Sequence, residues 1–240
     1  MIKSVIHSIL HRAGLEVTRR HPERLEESRV LAVANELGLK TIVDVGANVG
    51  QFSLGLFQAG FKGRIVSFEP LTAEHATLTR CSKAHASWTV APRCAIGDSN
   101  GQITIHRAGN SQSSSLLPML REHEIAAPDS KMTSDEVTDI RRLDQCPEVT
   151  EGTSGPLFLK VDTQGFELQV LRGATGLMPR IQAMLLEASL SPLYEGGPLF
   201  TDVLDHVRGL GFTLVDLVPG FQSPAGKMLQ VNLIVVRKAG

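Results

Sequence analysis

Residues 41–50 read Thr-Ile-Val-Asp-Val-Gly-Ala-Asn-Val-Gly. A short β-branched run ends in an acid and a glycine loop, and a helical pattern begins at Gln51. That combination fits a buried parallel strand turning sharply into a helix whose first N–H groups face a ligand. An open α/β sheet is the architecture that supplies such a turn. The next apolar run, Arg64-Ile-Val-Ser-Phe-Glu69, ends in a second acid. In doubly wound α/β folds an acid at that strand end accepts hydrogen bonds from ribose hydroxyls.

The loop narrows the ligand. A dinucleotide site wants Gly-x-Gly-x-x-Gly, because its second glycine lets the backbone approach a pyrophosphate. Here Asn48 stands at that glycine's place in Gly46-Ala47-Asn48-Val49-Gly50, and Asp44 adds negative charge nearby. Both disfavour a pyrophosphate and a nicotinamide cofactor. S-adenosylmethionine has no phosphate and carries an ammonium and a sulfonium, which suit an acidic strand end. No Gly-x-x-x-x-Gly-Lys-Ser/Thr stretch occurs, which excludes a P-loop. Gly46 and Gly50 also fit a bare strand-to-helix turn without a ligand; Glu69 one strand over is what favours a nucleoside.

Hydrophobic periodicity extends the pattern. Helices are expected over residues 22–37, 51–59, 71–83, 165–173 and 200–210, the first opened by Pro22 and closed by Gly38. Strands are expected over 41–45, 64–68, 88–94, 156–162, 181–187, 212–218 and 229–236, with an extra hairpin-like strand at 101–106. The last strand follows a Pro/Gly-rich turn with no crossover helix, so it should enter antiparallel. The fold class is a doubly wound, Rossmann-like α/β sheet, mostly parallel with an antiparallel last strand. Residues 107–155 break the alternation; only 137–143 read as a strand there. With few apolar residues, this segment reads as an insertion over the ligand face rather than a separate domain. The expected division is N-terminal helices over 1–40 packing on a ligand-binding domain over 41–240.

A chain of 240 residues is long enough for one full α/β core. Its 24 Lys and Arg nearly balance 25 Asp and Glu, leaving no electrostatic footprint for nucleic acid. Cys81, Cys94 and Cys146 are odd in number and form no Cys-x-x-Cys pair. They imply neither a disulfide framework nor a zinc knuckle and suit a reducing cytoplasm. No apolar run is long enough to span a bilayer, and no signal peptide is expected. Ile2, Val5, Ile6, Ile9 and Leu10 nevertheless share one helix face beside Lys3 and Arg12. Such a basic amphipathic helix suits peripheral contact with the inner face of a membrane. The simpler reading is a helix packing on the domain or on the second subunit of a homodimer.

Several blocks occur in order: Asp44-x-Gly46-x-Asn48-x-Gly50, Phe68-Glu69-Pro70, Ala95-Ile96-Gly97-Asp98, Ser113-Ser-Ser-Leu116, Leu143-Asp144, and Lys160-Val-Asp162-x-x-Gly165-x-Glu167-x-x-Val170-Leu171-x-Gly173. Over roughly residues 41–236 the chain resembles the FkbM family of S-adenosylmethionine-dependent O-methyltransferases. The first block is shared by many methyltransferases, whereas that from Lys160 to Gly173 is much more specific. The resemblance implies the class I methyltransferase sheet. It implies Asp44, Gly46, Asn48 and Gly50 around the methionine part of the cofactor, Glu69 on the ribose diol, and Ala95 and Ile96 along the adenine. It further implies a hydroxyl acceptor on a sugar or bacterial glycolipid, with small secondary metabolites as the alternative.

An alcohol is a poor nucleophile at neutral pH, so methylating one calls for a base or a metal ion. Asp162 and Glu187 close successive parallel strands and therefore share the rim where ligands bind. Two such carboxylates suit a Mg²⁺ ion, in the manner of catechol O-methyltransferase, or one base and one sugar-hydroxyl acceptor. Asp162 also fits a helix cap and Glu187 a structural salt bridge. Lys160 and Glu167 read as structural. Tyr194, just past the strand, faces either substrate or core. His106 and His123 are candidate bases, more simply read as solvated side chains.

Overall fold

The computed structural model describes residues 25–238. In chain order its elements are α1 (Glu26–Glu36), β1 (Thr41–Val45), α2 (Gln51–Ala59), β2 (Arg64–Phe68), α3 (Thr72–Ser82), β3 (Trp88–Val90), β4 (Ala95–Gly97) and β5 (Gly101–Ala108). There follow α4 (Arg121–Ala126), β6 (Met132–Arg142), α5 (Pro147–Thr150), β7 (Leu157–Val161), α6 (Glu167–Gly173), β8 (Ile181–Ser189), α7 (Phe200–Gly209), β9 (Phe212–Pro219) and β10 (Gln230–Arg237). The expected amphipathic helix at Ile2–Leu10, like Pro22, lies outside the described residues.

Seven strands form the main sheet in the order β3-β2-β1-β7-β8-β10-β9. The first five run parallel, and β10 enters antiparallel to both β8 and β9. The absence of a helix before β10 required this, since a parallel strand needs a long crossover. Apolar layers cover both faces. Val43, Val45, Leu159, Val161 and Leu186 face one layer, while Ile42, Phe158 and Leu185 face the other, beneath α1 and α2. The pleat therefore turns Asp44, Lys160 and Glu187 toward the α1–α2 side.

Two expectations need correction. The strand expected over residues 88–94 ends at Val90, and the chain re-forms as β4 in a separate sheet of order β4-β6-β5. Pro92 lies in the break, where a missing N–H cannot serve a ladder. The strand expected over 137–143 is β6, and it spans eleven residues. Its first half is exposed and shows no alternation, because pairing with β5 rather than burial defines it. Within the expected insertion, the segment between β5 and β6 carries α4 and a 3-10 turn at Ser111–Ser113.

Candidate active site

The ends of β1 and β7 converge at Gly46. Its φ is +78°, and a Cβ there would lie 1.9 Å from the Asp162 carbonyl oxygen. Only glycine permits both the left-handed turn and the approach. Asn48 is also left-handed, at φ +49°. Its N–H donates to Glu69 Oε2 at 2.8 Å, and its Nδ2 donates to Ser111 Oγ at 3.1 Å. Leu71 N–H donates to Glu69 Oε1 at 2.9 Å. Glu69 is thus clamped by two backbone donors, and burial raises its carboxyl to about 7.

A cleft of about 810 Å³, counted to its open mouth, crosses these strand ends. Toward β2 and β4 its wall is formed by Phe68, Leu71, Ala95, Ile96 and Ile105, with Glu69 between them. Toward β7 and β8 it is formed by Asp162, Thr163, Gln164 and Glu187. Ser111, Gln112, Ser114, Ser115 and Leu116 bring the segment after β5 to the same cleft.

Gly46, Asn48, Glu69, Ala95, Ile96, Asp162 and Glu187 are therefore brought together as expected. Asp44 and Gly50 are not among the lining residues. Asp44 points beneath α2, where its Oδ2 accepts from Ser53 Oγ at 2.9 Å and Ser67 Oγ at 3.3 Å. Gly50 is the N-cap of α2 at φ +92°, and a Cβ there would lie 2.6 Å from the Trp88 ring. It seats the helix on the core. Gln51, which carried no sequence signal, lines the cleft instead.

The acidic end is organised by amides. Gln164 Nε2 donates to Asp162 Oδ1 at 2.9 Å and to Glu187 Oε2 at 2.7 Å. Gln230 Nε2 also donates to Glu187 Oε2, at 2.8 Å. Burial, then the nearby Asp162, hold the Glu187 carboxyl well above its ordinary range. Beneath them Lys160 is buried, with Nζ 2.8 Å from the Gly46 carbonyl oxygen and 3.5 Å from Asp162 Oδ2. Glu167 Oε1 accepts from the N–H groups of Thr163 and Gly165, both at 3.1 Å, and braces the loop that carries Gln164. Glu26 on α1 accepts from Asn232 Nδ2; burial raises its carboxyl to about 7, while Lys160 opposes the shift. Lys160 and Glu167, read from sequence as a strand lysine and a first-turn acid, are both buried beneath this end. Glu26, Gln164 and Gln230 could not be read, because helix packing, a loop turn and sheet pairing respectively bring them to this end.

Residues 44–214 match the model of the methyltransferase FkbM domain. The chain belongs to the FkbM methyltransferase family. It is 28% identical over 143 residues to "Methyltransferase 1" of Beauveria bassiana, a match covering 55% of this chain and 57% of that protein. The chain thus spans little more than half the length of this curated relative. A Klebsiella pneumoniae protein assigned as an O-methyltransferase has a similar structure, with a TM-score of 0.50, 10% identity, and coverage of 98% of this chain and 89% of that one. A 1,6-didemethyltoxoflavin-N1-methyltransferase from Burkholderia thailandensis, bound to 1,6-didemethyltoxoflavin and S-adenosylhomocysteine, gives a TM-score of 0.46 at 11% identity, over 99% and 88% of the two chains. The sheet order and antiparallel β10 are those of the class I methyltransferase fold.

The residues of this FkbM-family chain fit S-adenosylmethionine. Gly46 lets the ends of β1 and β7 close on each other with no side chain between them, and it lines the cleft. Glu69 keeps lone pairs beyond those used by Asn48 and Leu71, enough to accept from a ribose diol. Ala95 and Ile96 offer the apolar wall that an adenine needs. Mg²⁺ does not fit as expected. The Gln164 amide donates to both Asp162 and Glu187, placing its N–H groups where a cation would bridge them. Among the described residues no group of three or more His, Cys, Asp or Glu is placed to hold a metal.

The other candidate bases lie elsewhere. His106 Nδ1 pairs with Asp135 at 2.8 Å on the β5–β6 hairpin. His123 is not solvated; it packs edge-on to Tyr194 with ring centroids 5.2 Å apart, and burial lowers its pKa to about 4. Neither lines the cleft.

Proposed function

We propose that the chain is an S-adenosylmethionine-dependent O-methyltransferase whose acceptor is a sugar hydroxyl. The observation that carries this reading is the pairing of Asp162 and Glu187 at one end of the cleft, flanked by the Gln164 and Gln230 amides. Carboxylates and amides are the groups that receive and orient a polyhydroxylated ligand. When bound, S-adenosylmethionine supplies a methyl group activated by its sulfonium. Gly46, Asn48, Glu69, Ala95 and Ile96 hold it. Glu187, in its ionised form, accepts the hydroxyl proton. Its raised pKa makes it a stronger base than an ordinary carboxylate. Asp162 receives a neighbouring hydroxyl and, with Lys160 beneath it, keeps its charge balanced.

The basic, apolar-striped stretch from Ile2 to Arg12 supports a lipid-linked form of the acceptor and a peripheral membrane position. No described helix is long and apolar enough to cross a membrane. The test is a screen with methyl-labelled S-adenosylmethionine against free glycans, lipid-linked glycans and small hydroxylated metabolites, each with and without Mg²⁺. An alkali-stable methyl ether on a sugar, formed at equal rate in EDTA, is the expected product. Labelling only of nitrogen, or of a non-sugar metabolite, would overturn the acceptor assignment.

A further inference from the structure

We infer that Gln164 is a positioning residue that couples the serine-rich segment over the cleft to the Asp162–Glu187 pair, through an amide whose oxygen the Tyr194 hydroxyl braces. The inference rests on the reading of those two acids as the groups that activate the acceptor.

Three observations carry it. Gln164 is left-handed at φ +55°, in a turn completed by Gly165 at φ +97°. A long side chain is disfavoured there, and such residues persist where the surroundings demand them. The side chain is also buried, and its polar atoms are matched. Nε2 serves Asp162 and Glu187, while Oε1 accepts from Tyr194 Oη at 2.8 Å. Turning the amide over would place its oxygen against two carboxylate oxygens and remove the only donors it offers them. The two carboxylates therefore select this orientation, and the Tyr194 hydroxyl braces it by donating to Oε1. Finally, Ser115 Oγ donates to the Gln164 carbonyl oxygen at 2.6 Å, and Tyr194 Oη also lies 3.0 Å from the Ser113 carbonyl oxygen. Ser114 and Ser115 line the cleft, so the cleft covering and the carboxylate pair meet at one residue. Tyr194 is buried and reaches neither acid directly within hydrogen-bond distance, so it acts through Gln164.

The two N–H bonds favour the ionised acids. Losing them leaves Glu187 with the Gln230 amide alone and no donor shared with Asp162. The test uses the full-length chain as Gln164→Leu and Tyr194→Phe, the second nearly isosteric and the safeguard if the first folds poorly. Titration of Glu187 is followed by ¹³C NMR on glutamate-labelled protein, together with S-adenosylhomocysteine affinity and turnover of the acceptor methylated fastest in the screen. In both variants the Glu187 titration should move up by about one pH unit. Turnover should fall about 100-fold in Gln164→Leu and about tenfold in Tyr194→Phe, with cofactor affinity within about twofold of the parent. An unmoved Glu187 titration in both variants would overturn the inference. So would parent-like turnover in both while Asp162→Asn and Glu187→Gln lose theirs, which leaves the reading of the acids standing. Parent-like turnover in Asp162→Asn and Glu187→Gln would remove that reading and this inference with it.

Discussion

Asp44 and Lys160 are register partners on β1 and β7, and Lys160 Nζ lies 3.2 Å from Asp44 Oδ1 with both side chains shut off from solvent. Asp44 Oδ1 has no well-aligned hydrogen bond, so the ammonium is what compensates its charge. The same ammonium donates to the Gly46 carbonyl and stands beside Asp162. One buried cation therefore ties the foundation of the Gly46 loop to the Asp162 end of the cleft. Breaking such a pair leaves an uncompensated buried charge. Lys160→Met is expected to cost about 3–5 kcal/mol in denaturant unfolding. Lys160→Met with Asp44→Asn should recover much of that loss. A cost below about 1 kcal/mol for the single variant, the range of a surface pair, would contradict this account.

Glu69→Ala removes the proposed diol acceptor and the clamp on the N–H groups of Asn48 and Leu71. S-adenosylhomocysteine binding should weaken by about 1.5–3 kcal/mol, the range for hydrogen bonds to a charged group. Calorimetry measures it. Unchanged affinity would place the ribose elsewhere.

Glu26, Glu69 and Glu167 each have carboxyls raised from 4.5 to about 7, chiefly by burial. Between those values the folded chain binds more protons than the unfolded chain, so these groups lower stability as pH rises. Their contribution is fully present below pH 4.5 and lost as pH passes through about 7. Melting temperatures of the parent should fall from pH 5.5 to pH 7.5 more steeply than those of Glu167→Gln, whose amide does not titrate. Parallel curves would show that Glu167 ionises at an ordinary pH.

On the proposed reading Glu187 takes the hydroxyl proton only when ionised, and its carboxyl is held well above the ordinary range. The turnover of the parent should therefore climb with pH on a limb lying above that of a typical carboxylate. Glu187→Gln should lower turnover by about 10²–10⁴-fold and erase the limb, leaving cofactor affinity nearly unchanged. A limb that survives in Glu187→Gln would assign proton removal to another group.

Much of this arrangement was legible from the chain itself. Alternating strand and helix periods, Gly46 at a strand end and Glu69 at the next placed the cofactor cleft, because strand ends in a parallel sheet open on one rim. The missing crossover before β10 settled its direction. Those are local properties of sequence, carried by periodicity and by residues with narrow conformational rules. Asp44 was misplaced because proximity in sequence to a glycine loop does not say which face of the pleat an acid occupies; the burial of Ile42 on the α2 side decides that. Residues 132–136 showed no period because pairing with β5, not a buried face, makes them a strand. The amide between Asp162 and Glu187 was invisible for a similar reason. A glutamine has no periodic signature, and its role comes from a left-handed turn, a tyrosine thirty positions later and a strand neighbour on β10. Sequence determined where the cleft would lie, and long-range packing alone decided which side chains meet inside it.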